Sequence, residues 1–335
     1  MTEATRQRLF GAGTAFDEPV VVGAVIGVVA VLALSGALLF LLRRSGRVGP
    51  KTAGELLLRW KSWCWLSALM LAPVLLGAAW VMAAVCVLSL LCYREYARAT
   101  GLFRDKTISL VVVLGTLAVT FAVVDHYNRL FFATAALTVG LVAVVTIPQD
   151  RPQGYIQRVA LGALGFLLFG YSLGYVGLIG NDARYRSVLI LLLAGVELND
   201  VFAYCVGRLV GGPKLLPNTS PGKTVAGSAA ALVLTTALVA GLGHVIFRGT
   251  AVGRVGPLLG LGVLVSVVGQ LGALMLSSIK RDVHVKDVGA AIPGHGGLLD
   301  RFDSLVLVPP ALFHYLSLFL GPLGAGQAER ILTGG

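Results

Sequence analysis

The sequence predicts an all-α polytopic integral membrane protein of about ten transmembrane helices, nine to ten, with a polar cavity facing the cytoplasm. Three observations carry that reading. Of the 335 residues 56% are hydrophobic and only 13% charged, with a mean hydropathy of +0.85, where a soluble domain carries about 25% charged residues. Apolar runs of about 20 residues, the length that crosses a bilayer, recur along the whole chain. Basic residues also segregate. With ten spans, 19 of the 27 lysines and arginines fall in loops on one side and 8 on the other, which is the bias that orients membrane proteins. It puts both termini outside and the loops 43–61 and 277–303 in the cytoplasm, as in a bacterial inner membrane.

Taken in order, the polar N-terminal stretch leads into the first apolar run, 19–42. That run is longer than the apolar part of a signal peptide and ends without an Ala-x-Ala site, so it reads as a retained helix. Residues 63–91 form one long run, awkward for one span and short for two. Pro73 and Gly77 within it favour a tight re-entry between spans 64–77 and 79–97, the first of them short. A single span there would turn 43–61, the most basic loop, outward. Spans 107–125, 130–147, 158–180, 185–206, 224–247, 255–276 and 304–321 follow. Residues 1–60 read as an extra transmembrane helix with a basic cytoplasmic linker, and 61–335 as the main membrane domain. The net charge of +11 follows from the loop bias, so no nucleic-acid partner is implied. The four cysteines lie in apolar segments without metal-binding spacing and read as small hydrophobes.

Chemistry concentrates on the basic side. In 277–303, Ser277, Lys280, Arg281 and Lys286 can contact phosphate oxygens. Asp282, Asp287, Asp300 and Asp303 can ligate a hard cation, and the Gly294-His295-Gly296-Gly297 turn offers backbone amides to an anion. A merely solvated loop would not need four aspartates and four glycines at this spacing. Asp200 lies in an apolar span, where a carboxylate costs about 2.5–3.5 kcal/mol and so needs a partner or a function. Gly222-Lys223-Thr224 is not a Walker A loop, because 217 is proline and no strand precedes it. It reads as a polar loop capping the next helix from Thr219 or Ser220, and a lysine with hydroxyls there still suits phosphate. Tyr93-Arg94-Glu95-Tyr96 suits interfacial anchoring equally well. His126, His244 and His314 read as solitary.

The pattern Ser277-x-x-Lys280-Arg281-x(4)-Lys286-Asp287, then Pro293-Gly294-His295-Gly296-Gly297-x-x-Asp300-Arg301-x-Asp303, resembles the defining motif of the CDP-diacylglycerol synthases, or phosphatidate cytidylyltransferases. The likeness extends to Asp200-x-x-Ala203-Tyr204 and Ser220-Pro221-x-Lys223-Thr224, more weakly to Pro73 and Glu95-Tyr96, and covers roughly 60–320. It makes 61–335 the cytidylyltransferase membrane domain. It implies transfer of CMP from CTP to phosphatidic acid at the cytoplasmic face, yielding CDP-diacylglycerol for phospholipid biosynthesis. The lipid would enter sideways from the bilayer. It implies Mg²⁺, with room for a second cation, and leaves room for a homodimer. On this resemblance Asp200 and Asp287 are the first metal ligands and Asp300 and Asp303 the further ones. Lys280, Arg281, Lys286, Asp287 and His295 are catalytic. Ser220, Lys223, Thr224, Ser277, Gly294, Gly296, Gly297 and Arg301 bind substrate. One departure stands out: Ala226 replaces the glutamate of the family's S-P-x-K-T-x-E-G. Three alternatives therefore stay open: a CTP-dependent transferase acting on another lipid phosphate, an inactive or regulatory homologue, and a transporter. The last is disfavoured by charges gathered on one side and by the lack of an inverted repeat.

Overall fold

The computed structural model describes residues 2–46, 49–289, 297–321, 323 and 330–334. Gly294, His295 and Gly296 lie outside the described residues. The described chain is helical apart from one hairpin. In order come α1 (Glu3–Phe10), a 3-10 turn (Ala12–Asp17), α2 (Pro19–Arg44), α3 (Pro50–Leu76), α4 (Ala78–Ala99), α5 (Lys106–Val124), α6 (Asn128–Val145), α7 (Tyr155–Gly165), α8 (Leu173–Ile179) and α9 (Tyr185–Val210). The antiparallel strands β1 (Lys214–Leu216) and β2 (Ser220–Thr224) follow, then α10 (Val225–Ile246), α11 (Val255–Asp282) and α12 (Val308–Leu320). Seven residues of π-helix, Phe166–Ser172, join α7 to α8 into one span.

The chain is an all-α polytopic membrane protein. Eight of these segments are long and apolar enough to cross a bilayer: α2, α4, α5, α6, the α7–α8 unit, α9, α10 and α11. The other two expected spans fall to α3 and α12. Helix α3 is not short, as expected from 64–77, but 27 residues long. It begins in the basic segment at Pro50, whose fixed φ suits a first helical turn, and its charged first half keeps its hydropathy low. Helix α12 starts at Val308 rather than 304 and has 13 residues, because 298–307 fold into turns around Asp300 and Asp303. The break between α3 and α4 falls where Pro73 and Gly77 suggested. Gly77 takes φ 135°, and a Cβ there would lie 2.3 Å from the Leu9 carbonyl oxygen, so only glycine fits.

The buried core is aromatic and aliphatic, with Tyr96, Phe131, Phe166, Phe169, Tyr185, Leu189 and Leu191 fully enclosed. Helix α2 stands at the edge and leans on α3 through Trp60, whose indole N–H donates to the Leu32 carbonyl at 3.0 Å. At the end of α9 away from the charged motif, the N-terminal segment is clasped into the bundle. Arg8 donates to Asn181 O at 2.6 Å, and Tyr185 donates to Arg8 O at 3.3 Å. Arg186 donates to Val74 O, Thr14 Oγ1 and Gly11 O at 3.2, 3.1 and 2.6 Å, and Ser187 bonds Glu18. At the other end α9 and α10 cross closely. A Cβ on Gly227 would lie 2.4 Å from Ala203 O and 3.0 Å from Gly207 Cα. Small residues at such crossings let membrane helices approach backbone to backbone.

Candidate active site

The α9–α10 crossing sets the first wall. Asp200 projects from α9, and Lys223 from β2 brings its ammonium to 3.9 Å from Asp200 Oδ1. Thr224, not Thr219 or Ser220, is the N-cap of α10, its hydroxyl accepting from Gly227 N at 3.1 Å. The cap falls later than expected because 214–224 fold as a hairpin. Thr224 is thus buried and committed to the cap, while Ser220 is half-buried in β2. Ala226 sits in the first turn of α10.

The second wall comes from the end of α11 and the turns after it. Lys280 is paired with Asp300 at 2.9 Å and lies 4.0 Å from Asp303. The other oxygen of Asp300 accepts the backbone amides of Val288 and Gly297, both at 3.0 Å. Asp300 is therefore occupied as a strut that folds the loop onto α11. Asp303 caps the backbone of Ser304 at 2.8 Å, and the Ser304 hydroxyl crosses to Asp200 at 2.5 Å. Ser304 had no sequence signal, because its part depends on a contact 104 residues away. Burial first, and then the Asp200 charge, push the Asp303 carboxyl from 3.8 up to about 6, against the opposing pull of Lys280 and Lys223.

Glu95, near the end of α4, is a clamp. Its two oxygens accept the amides of Leu298 and Leu299 at 3.1 and 2.8 Å. Charge-assisted bonds of this kind are the strong ones, and they fix the turn carrying Asp300, Arg301 and Asp303. The π-helical turn helps from beneath, through a hydrogen bond from Ser172 to Val306 O. Such turns recur at functional sites. Arg301 lies within electrostatic reach of Glu197, one helical turn before Asp200.

Asp200, Lys223, Lys280, Asp300 and Asp303 are thus brought together, with Arg301 alongside. Other expected residues make no side-chain bond to these groups among the described residues. Lys286 and Asp287 are exposed on the loop beyond α11, Arg281 is exposed and donates to Thr219 O at 3.3 Å, and Ser277 is half-buried on α11. Among the described residues no three or more His, Cys, Asp or Glu side chains are grouped closely enough to hold a metal ion. Lys223 Nζ is buried and has no hydrogen-bond acceptor among the described residues. An unsatisfied buried ammonium is costly, and the carboxylate it faces, Asp200, stays at 3.9 Å. His314 is not solitary, since its Nε2 lies 3.1 Å from the Tyr175 hydroxyl.

Residues 57–319 match the cytidylyltransferase family. The chain is 44% identical over 203 residues to the phosphatidate cytidylyltransferase of Bacillus subtilis strain 168, covering 60% of this chain and 72% of that one. It is 39% identical over 168 residues to the phosphatidate cytidylyltransferase of Brucella abortus biovar 1, covering 48% of this chain and just 58% of that protein's length. It is 29% identical over 285 residues to an uncharacterized Escherichia coli K12 protein, YnbB, covering 81% and 90%. The family match spans most of the membrane bundle and every residue of the cluster, so the chain belongs to the cytidylyltransferase family and is a membrane-embedded nucleotidyltransferase.

Proposed function

We propose that the protein transfers CMP from CTP to phosphatidic acid at the cytoplasmic face, giving CDP-diacylglycerol and pyrophosphate. The observation that carries this reading is the buried Lys223 ammonium without a hydrogen-bond acceptor, facing Asp200 beside the Lys280–Asp300–Asp303 cluster. In the step, a phosphate oxygen of the lipid attacks the α-phosphorus of CTP. The new P–O bond forms as the α–β bridging bond breaks, and its electron pair leaves with pyrophosphate. Two polyanions meet, so the protein's task is charge neutralisation and in-line alignment rather than nucleophilic catalysis. Lys223 holds a phosphate of CTP or of the lipid. Lys280 keeps Asp300 and Asp303 in place and adds positive potential. Glu95 holds the turn that presents Arg301. The names of the Bacillus and Brucella relatives support the choice of phosphatidate.

Mg²⁺ fits at Asp200 and Asp303, since it needs one or two carboxylates plus substrate phosphates. Ser304 links the two carboxylates, through its hydroxyl to Asp200 and its backbone amide to Asp303. Bound there, the ion would neutralise charge on the phosphates. Asp300 is committed to Lys280 and two amides and is not placed among the ligands. The test is pyrophosphate release from CTP plus phosphatidate in mixed micelles with Mg²⁺. Turnover is expected, with Asp200→Asn reducing it at least about 10³-fold while the protein elutes and melts as wild type; a fully active Asp200→Asn enzyme overturns the assignment. A second reading has another lipid phosphate as acceptor. Running the assay with isoprenoid and ether-linked phosphates separates the two.

A further inference from the structure

Where α10 and α11 pass under the β1–β2 hairpin lies an apolar groove of about 460 Å³, open at the side of the bundle. Leu215 and Leu216 of β1 roof it, and Ala229, Leu232, Val267 and Leu271 line its length. That volume lies within the range of small-molecule sites. Two features separate it from an ordinary furrow between helices. Ser228 lines it, yet the Ser228 hydroxyl is buried without a hydrogen-bond partner among the described residues. Gln270 lines it too, donating to Ser228 O at 3.3 Å and to Ser266 Oγ at 3.2 Å. Ser266 donates to Asn199 Oδ1 at 2.6 Å, and Asn199 precedes Asp200 on α9. These hydrogen bonds tie the floor of the groove to α9 at Asn199, next in sequence to Asp200. Ser228 lies in the first turn of α10, five residues after Lys223. Lys214 and Arg281 lie at the same charged end and are exposed.

We infer that this groove holds an acyl chain of the acceptor lipid, with Ser228 donating to an ester carbonyl while the lipid phosphate reaches Lys223. A glycerolipid has this order of parts: an anionic head, ester carbonyls just below it, then apolar chains. The occupant is a diacyl phosphate lipid, because the groove combines an apolar trough, one unsatisfied donor near its top and cations at its mouth. The inference rests on the proposed lipid-phosphate acceptor and names the surface that recognises it.

The experiment uses the full-length protein in mixed micelles at saturating CTP. Ala229→Phe narrows the trough from an exposed position and should raise KM for dioleoyl phosphatidate about tenfold, each excluded methylene being worth about 0.8 kcal/mol. KM for a dihexanoyl analogue and for CTP should stay within twofold. Ser228→Ala should abolish a preference of about three- to tenfold for diester over diether phosphatidate, the worth of one hydrogen bond. Equal effects on long- and short-chain lipid, or no effect on either, overturn the groove. A second readout does not depend on turnover. A phosphatidate with a photoreactive group in its acyl chain is cross-linked to the wild-type protein and mapped by mass spectrometry. Adducts within 225–232 or 267–274, competed by phosphatidate and not by phosphatidylcholine, support the site; adducts confined elsewhere overturn it. Wild type inactive with every lipid phosphate, yet cross-linked in the groove, would sink the proposed reaction and leave the groove standing.

Discussion

Substituting Gly227 by alanine tests whether the α9–α10 crossing sets the spacing of the reactive groups. The added Cβ would lie 2.4 Å from the Ala203 carbonyl oxygen, 3.0 Å from Gly207 Cα and 3.1 Å from Thr224 Oγ1. The first two contacts are backbone, so no rotamer change relieves them. An ordinary contact requires the helices to part by about 1 Å. Overpacking of this kind costs about 1–3 kcal/mol, which a bundle of this size survives. Asp200 lies three residues before Ala203, and Lys223 four residues before Gly227. The 3.9 Å spacing between them therefore opens by a similar amount. A misplacement of about 1 Å costs on the order of 10²-fold in rate. The assay is initial-rate cytidylyl transfer, beside a thermal melt of the same preparation. Gly241→Ala is the control: same helix, same substitution, with nothing within 4 Å of the new Cβ. Gly227→Ala within threefold of wild type, or Gly241→Ala equally impaired, refutes the reasoning.

Two further outcomes follow from the same contacts. Glu95→Gln keeps one acceptor for Leu298 or Leu299 but turns an NH₂ toward the other amide, losing a charge-assisted bond worth about 1.5–3 kcal/mol. Turnover should fall about 10- to 100-fold and the turn should become protease-sensitive near residue 298, whereas a wild-type rate would show that the clamp is dispensable. Asp303 supplies a pH signature. Its carboxyl is raised from 3.8 to about 6, so the fold favours the protonated form. In chelator, that contribution is fully present below about pH 4 and is lost as pH rises through about 6, a swing of at most about 3 kcal/mol. Wild-type stability minus that of Asp303→Asn, measured by thermal unfolding from pH 4 to 7, should fall across this window, and a difference that is flat or rises contradicts the burial argument.

The span pattern was legible because twenty-residue apolar runs have few alternatives, and the α3–α4 break was legible because Pro73 and Gly77 mark it. Lys51, Arg59 and Lys61 hid the first half of α3, since a charged helix looks like a loop to hydropathy. The strands at 214–224 were hidden by Pro213, Pro217 and Pro221, which signal turns, although their pairing depends on the helices beneath. Asp200, Lys223, Lys280, Asp300 and Asp303 were legible as chemistry. Their division of labour was not. That Asp300 is a strut while Asp303 sits against Asp200 depends on which partners the loop reaches. Glu95 is 203 residues from Leu298, a distance no local pattern spans.

The clasp of Arg8 and Arg186 at the far end of α9 bears on traffic rather than on stability. Arg186 stands 14 residues before Asp200, about 21 Å along the helix axis, so the reaction centre and the clasp occupy opposite ends of the bundle. Opening a path between them would break several hydrogen bonds to charged groups, on the order of 10 kcal/mol in all. That end of the bundle is thus tied shut. Under the proposed reaction, pyrophosphate leaves by the entrance that admits CTP, and it should inhibit competitively against CTP while the lipid product departs sideways into the bilayer.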